Sequence, residues 1–215
     1  MKFISLLLFT FFFFPYGKRP AISTLKRQAE VFPNEVGDHW TYQFRGYGSS
    51  ADKIDSINVD IIGQILLPDG GHARIWLYRY PNGVDTNYVV SDEKMVKIYY
   101  GYYNYCNPCT GIMPREKFKY SFPLEMGKSW ITGDQYGDTI KAISKSSVTV
   151  PAGTFLNTSL LINLPGKSKF IGNFHRKDSI WYTPYIGVIK RRQNEFDLRP
   201  MPGNGIWELS GYSLK

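Results

Sequence analysis

The chain has 215 residues, enough for one ordinary domain or two small ones closely joined. An aromatic content of 16%, with 20 Gly and 13 Pro, favours many short strands and turns and argues against long helices. The formal charge of +8 falls to +5 once Lys2, Lys18 and Arg19 are set aside; so modest and dispersed an excess admits a weak pull toward acidic glycans or anionic headgroups and gives no footprint for nucleic acid.

Met1-Lys2 is followed by Phe3 to Phe14, an apolar run broken only by Ser5 and Thr10, and then by Pro15. A positive start and an apolar run of this length describe a secretory signal peptide, and the run is shorter than the ~20 residues a transmembrane helix needs. Ala21-Ile22-Ser23 places small residues where signal peptidase cuts, so residues 1–23 are read as the signal peptide. Lys18-Arg19 is unusual so near a cleavage site, and an uncleaved anchor or a buried apolar strand is the plainer alternative. No Cys follows the run, which closes the lipoprotein route. Thr24 to Glu30 is the one plausible helix, and it is short.

A repeat organises the remainder. Phe32-Pro33-Asn34-Glu35-Val36-Gly37-Asp38-His39-Trp40 matches Phe122-Pro123-Leu124-Glu125-Met126-Gly127-Lys128-Ser129-Trp130 as F-P-x-E-x-G-x-x-W, 90 residues apart. Pro ends the preceding segment, Gly supplies a backbone conformation that other residues resist, and Trp opens a strand with a large apolar anchor. The Glu is expected to tie down backbone N–H groups of the turn. A catalytic pair of Glu35 and Glu125 would have to converge on one bond, and nothing in the pattern brings them together. Leu67-Pro68-Asp69-Gly70 and Val150-Pro151-Ala152-Gly153 form a looser second match, each a Pro-x-Gly turn between strand-like runs. The division is therefore a first β half over residues 24–121 and a second over 122–215, sharing one domain because no free linker separates them.

Strands are expected at Trp40–Arg45, Ile57–Ile61, Ala73–Tyr80 and Met95–Tyr100 in the first half. In the second they fall at Thr139–Val150, Thr154–Leu164, Ser179–Tyr182, Gly187–Arg192 and Ile206–Leu214. Apolar and polar residues alternate along them, as in antiparallel strands with one wet face.

Cys106-Asn107-Pro108-Cys109 has intrinsic reactivity, but a redox Cys needs a helix N-terminus and Gly111 and Pro114 interrupt any helix here. In an oxidising compartment Cys106 and Cys109 read as a local disulfide. The tyrosines from Tyr99 to Tyr105 are suited to stacking on sugars or lining an apolar pocket, the plainer account being a strand with Tyr on both faces. Lys167, Lys169, Arg176, Lys177 and the run Lys190-Arg191-Arg192 read as solvated strand faces and hairpin tips. His39, His72 and His175 stand singly, without metal-ligand spacing. No G-x-S-x-G, H-E-x-x-H or phosphate loop occurs, so no catalytic, metal or cofactor residue is assigned.

Val148-Thr149-Val150-Pro151-Ala152-Gly153-Thr154-Phe155, then Ile180-Trp181-Tyr182 leading to Gly187-Val188-Ile189-Lys190, and the closing Glu208-Leu209-Ser210-Gly211-Tyr212 resemble a signature of exported proteins of unknown function in Gram-negative bacteria. Phe32 to Tyr42 is similar to the opening of that signature, and the resemblance spans roughly residues 31–215. It implies a strongly curved antiparallel sheet like a partial barrel, here from two related halves, and a place in the periplasm or at the cell exterior. It implies no chemistry.

The expected function is non-catalytic binding in the envelope. An apolar or amphipathic ligand, a small molecule or a lipid, would lie on the curved sheet against Trp76, Tyr78, Phe155, Leu161 and Trp181. The alternative is a structural or assembly component that contacts an envelope protein through its sheet edges, with peripheral membrane contact open to either. A hydrolase acting on exported glycans ranks third.

Overall fold

The computed structural model describes residues 32–47, 53–67, 70–101, 112–132, 137–164, 178–193 and 204–215. The proposed signal peptide, the short helix, Cys106, Cys109 and the basic residues from Lys167 to Lys177 lie outside them. Twelve strands run along the described chain: β1 (His39–Gly46), β2 (Ile54–Leu66), β3 (His72–Tyr80), β4 (Gly83–Ser91), β5 (Met95–Gly101), β6 (Ile112–Ser121), β7 (Ser129–Ile131), β8 (Thr139–Val150), β9 (Gly153–Leu164), β10 (Ser179–Thr183), β11 (Gly187–Gln193) and β12 (Gly205–Ser213).

They form one antiparallel sheet in the order β6-β5-β4-β3-β2-β1-β12-β11-β10-β9-β8-β7. The first and last strands are neighbours at its centre, and its two edges, β6 and β7, are consecutive in the chain. The sheet therefore curls into a nearly closed barrel with one seam. Trp130 crosses that seam, donating its indole N–H to the Lys119 carbonyl at 2.7 Å. Bulges at Thr41/Tyr42, Ile61/Gly63, Trp181/Tyr182 and Ala142/Ser144 bend the strands that curl.

The two F-P-x-E-x-G-x-x-W motifs make the same turn. Gly37 N–H donates to Ile61 O and Ile61 N–H returns to Asp38 O, as Gly127 N–H donates to Ala142 O and Ala142 N–H returns to Lys128 O. Both glycines have a left-handed backbone, φ +97° and +86°, which is why Gly stands there. Each turn feeds the strand carrying the motif's Trp, Trp40 on β1 and Trp130 on β7, and each half contributes six strands. The glutamates do not tie these turns. Asp38 Oδ2 accepts the Glu35 N–H at 2.8 Å, while Glu35 reaches Arg74 at 3.3 Å.

The inner face carries Trp40, Tyr42 and Phe44 from β1, Ile57, Val59 and Ile61 from β2, Trp76 and Tyr80 from β3, and Trp207 from β12, all buried. Residues 32–38 strap one end. Asn34 accepts from the Trp76 indole at 2.8 Å and donates to Ser91 at 2.8 Å, Arg74 donates to its carbonyl at 3.1 Å, and Phe32 stacks on Trp76 at 5.5 Å. The outward positions of β1 are Thr41, Gln43 and Arg45, and β8 turns Lys141 and Lys145 outward. Aromatic inside and polar outside is the reverse of a lipid-spanning barrel.

Candidate functional site

Inside the barrel the inward side chains leave a cavity of about 110 Å³, walled by rings that include Trp40, Tyr42, Trp76, Tyr78, Tyr120 and Trp207. Phe32 touches this cavity and also lines an open recess of about 610 Å³ at the strapped end, so its ring stands between the two spaces. The recess mixes polar residues, among them Asn34, Glu35, Gln64, His72 and Arg74, with apolar ones such as Pro33, Val89 and Leu214, whereas the cavity is mainly aromatic.

Polar groups line the cavity at two strands. On β4 the pleat buries Asp85 and Asn87, 4% and 2% exposed, while Val84 faces out, and Asn87 reaches the cavity. On β11 it turns Arg191 inward, opposite Trp207 on β12. Arg191 donates to Asp178 at 2.7 Å, and its guanidinium lies 5.9 Å from the Trp207 ring centre. No protein group reaches Asn87 Oδ1 or Trp207 Nε1. Burial pushes the Tyr78 hydroxyl up to about 12; Arg191 and a hydrogen bond from Asn87 pull against that rise, and Asp85 adds to it. Burial also raises Tyr42 and Tyr120, with Arg191 opposing at Tyr120. The interior phenols therefore stay protonated donors rather than bases or nucleophiles.

Of the residues expected to line a ligand groove, Trp76 and Tyr78 reach the cavity. The other three do not. Leu161 is fully buried elsewhere in the core. Phe155 packs on Tyr212, and Trp181 lies under the Lys190 ammonium, 5.6 Å from its ring centre. The run Lys190-Arg191-Arg192 is not one solvated face: Lys190 pairs with Glu208 at 2.6 Å and Arg192 sits over Tyr47, but Arg191 points inward. Asn87 and Trp207 carry no expectation from sequence, and Arg191 only that of a solvated run. Strict alternation along β4, β11 and β12 is the pattern that finds them.

His39 is not isolated. Its Nδ1 meets Asp60 at 2.7 Å and its Nε2 meets the Thr41 hydroxyl at 2.9 Å, an order that mimics a catalytic relay. Two features argue against that chemistry. Thr41 donates its hydroxyl proton to Asn58 Oδ1 at 3.1 Å, and Asp60 is also held by Arg79. The group lies on the outer face of β1 and β2, where ladder hydrogen bonds occupy the backbone N–H groups that an oxyanion hole requires. Among the described residues, no three His, Cys, Asp or Glu side chains gather where they could hold a metal ion.

No family model matches the chain, and no curated protein matches it. Similar solved structures include a lipoprotein candidate from Parabacteroides distasonis, 13% identical, covering 85% of this chain and 97% of that one with a TM-score of 0.47. Another is an exported-protein candidate with a YmcC-like fold from Bacteroides fragilis, 14% identical, covering 86% and 99% with a TM-score of 0.42. Likeness this remote carries nothing about function or location.

Proposed function

We propose that this chain is an exported envelope protein that works by non-covalent binding, taking a small amphipathic molecule into its barrel. The observation that carries the proposal is the aromatic cavity, where buried polar atoms of Asn87 and Trp207 have no protein partner. Packed interiors rarely leave such atoms without partners. Export is supported by the apolar run behind Met1-Lys2. A non-catalytic role is supported by the failed relay at His39 and by interior phenols held protonated.

The size of the cavity narrows the guest. At about 110 Å³ it is far below the 300–1,000 Å³ of ordinary small-molecule sites, so a lipid acyl chain is not the guest. Toluene is a suitable probe. Saturable toluene binding should raise the melting temperature by a few degrees at high ligand excess. If toluene and polar single-ring probes of its size all leave melting unchanged and give no saturable shift of the cavity methyl resonances, binding inside the barrel is wrong. The assembly role then takes its place, drawing on Met126 and Ile131, which stand 72% and 63% exposed beside the seam.

A further inference from the structure

We infer that the interior cavity is built for a neutral, single-ring aromatic molecule carrying both a hydrogen-bond donor and an acceptor, the phenol class. This rests on the binding role proposed above and names its ligand.

Three observations converge. The first is size: a cavity of about 110 Å³ is of the order of those, roughly 150 Å³, that take up benzene, and it excludes fused rings and chains. The second is the wall. Trp40 and Trp76 stack at 5.0 Å with 20° between their planes, and Trp76 and Tyr78 at 6.4 Å with 29°. Rings stacked in this way cover one another's faces and leave their edges free, and ring edges favour the face of an aromatic guest.

The third is the polar pair. Asn87 Oδ1 is an acceptor and Trp207 Nε1 a donor; both belong to residues at least nine-tenths buried that line the cavity, and neither atom has a protein partner. A guest with one donor and one acceptor satisfies both, recovering what each loses when buried alone. The charges settle that the guest is neutral. Arg191 is the charged residue of the lining and is already matched by Asp178 at 2.7 Å, so the cavity holds no uncompensated charge for an ion.

Phenol and toluene have nearly the same shape and separate the polar contribution from the apolar one. A purely apolar cavity prefers toluene to phenol, whose hydroxyl would lose its water without replacement. The wild-type protein should bind phenol saturably, shifting the Trp207 indole N–H and Asn87 amide resonances, whereas toluene binds without moving the indole proton downfield. Trp207→Phe and Asn87→Leu should each lower the ratio of phenol to toluene affinity, measured on the same variant, about tenfold. Toluene binding with no phenol binding, or phenol binding indifferent to both substitutions, overturns the inference and leaves the binding role standing. If either variant fails to fold, the wild-type indole shift decides the matter. Binding of neither probe overturns the binding role itself.

Discussion

Arg191 shows how strongly strand register decides the meaning of a charged residue. Its neighbours Lys190 and Arg192 lie over the Trp181 and Tyr47 rings, a common use of long basic side chains, and Lys190 is paired with Glu208. One step of the pleat puts Arg191 among aromatic rings, where its charge is sustained by Asp178. The same interior sets an alkaline limit on the fold. Tyr78 ionises near 10 when unfolded and at about 12 in the barrel, so between these values the unfolded chain has lost a proton that the folded chain keeps. Stability contributed by this group is complete below pH 10 and declines as pH rises toward 12. With screening at its partly exposed edge, we expect a loss of about 1–3 kcal/mol across that window. Urea unfolding at increasing pH should show this loss, and Tyr78→Phe should flatten it. An unchanged slope in that variant would assign the alkaline loss to Tyr42 and Tyr120.

At the scale of the element, the seam is the weakest line of the barrel. β7 has three residues and pairs only with β8, and β6 is held on one side by β5. Trp130→Phe keeps a ring at the seam and removes its hydrogen bond to Lys119 O, so it should cost about 1–2 kcal/mol and speed amide exchange in β6 and β7 more than in β1 and β2. Equal acceleration everywhere would show that the bond supports the whole fold and not the seam. The strands that were legible in the sequence are those whose inner faces are apolar. β1 alternates Trp40, Tyr42 and Phe44 with Thr41, Gln43 and Arg45, and the extents of β8 and β9 agree with expectation to within a residue. β4 escaped because Asp85 and Asn87 occupy its buried positions and Val84 an exposed one, which inverts the pattern. β6 escaped because Pro114 and four charged residues lie along it. The candidate site was half legible for the same reason: Trp76 and Tyr78 are conspicuous as aromatic strand residues, whereas Asn87 and Arg191 are inner-face exceptions that hydrophobic periodicity passes over.

At the scale of the whole molecule, twelve strands make a wider barrel than the roughly eight whose interior ordinary side chains fill. The chain closes that space with rings. Trp40, Trp76, Tyr120, Phe122, Tyr182 and Trp207 all point inward, which gives the high aromatic content its physical purpose. Contacts from Phe32 and Phe122 to Tyr120 and Tyr182, at 5.6 to 6.4 Å, join the two motif phenylalanines in one cluster. Export would turn on the N-terminal segment. All twelve strands start after residue 38, and the first motif starts at Phe32, so cleavage after Ser23 would remove the apolar run and spare the strap, the sheet and the cavity. Expressed with its leader in a Gram-negative host, the protein should appear in the periplasmic or extracellular fraction with an N-terminus at or near Thr24 by mass spectrometry. A chain produced in the cytoplasm from Thr24 onward should give the same near-ultraviolet circular dichroism, because the rings that generate that spectrum are packed by residues 32 and beyond. An exported protein that still begins at Met1 would make the apolar run an anchor. A cytoplasmic protein that keeps it would remove the case for export and leave the cavity to be tested on its own.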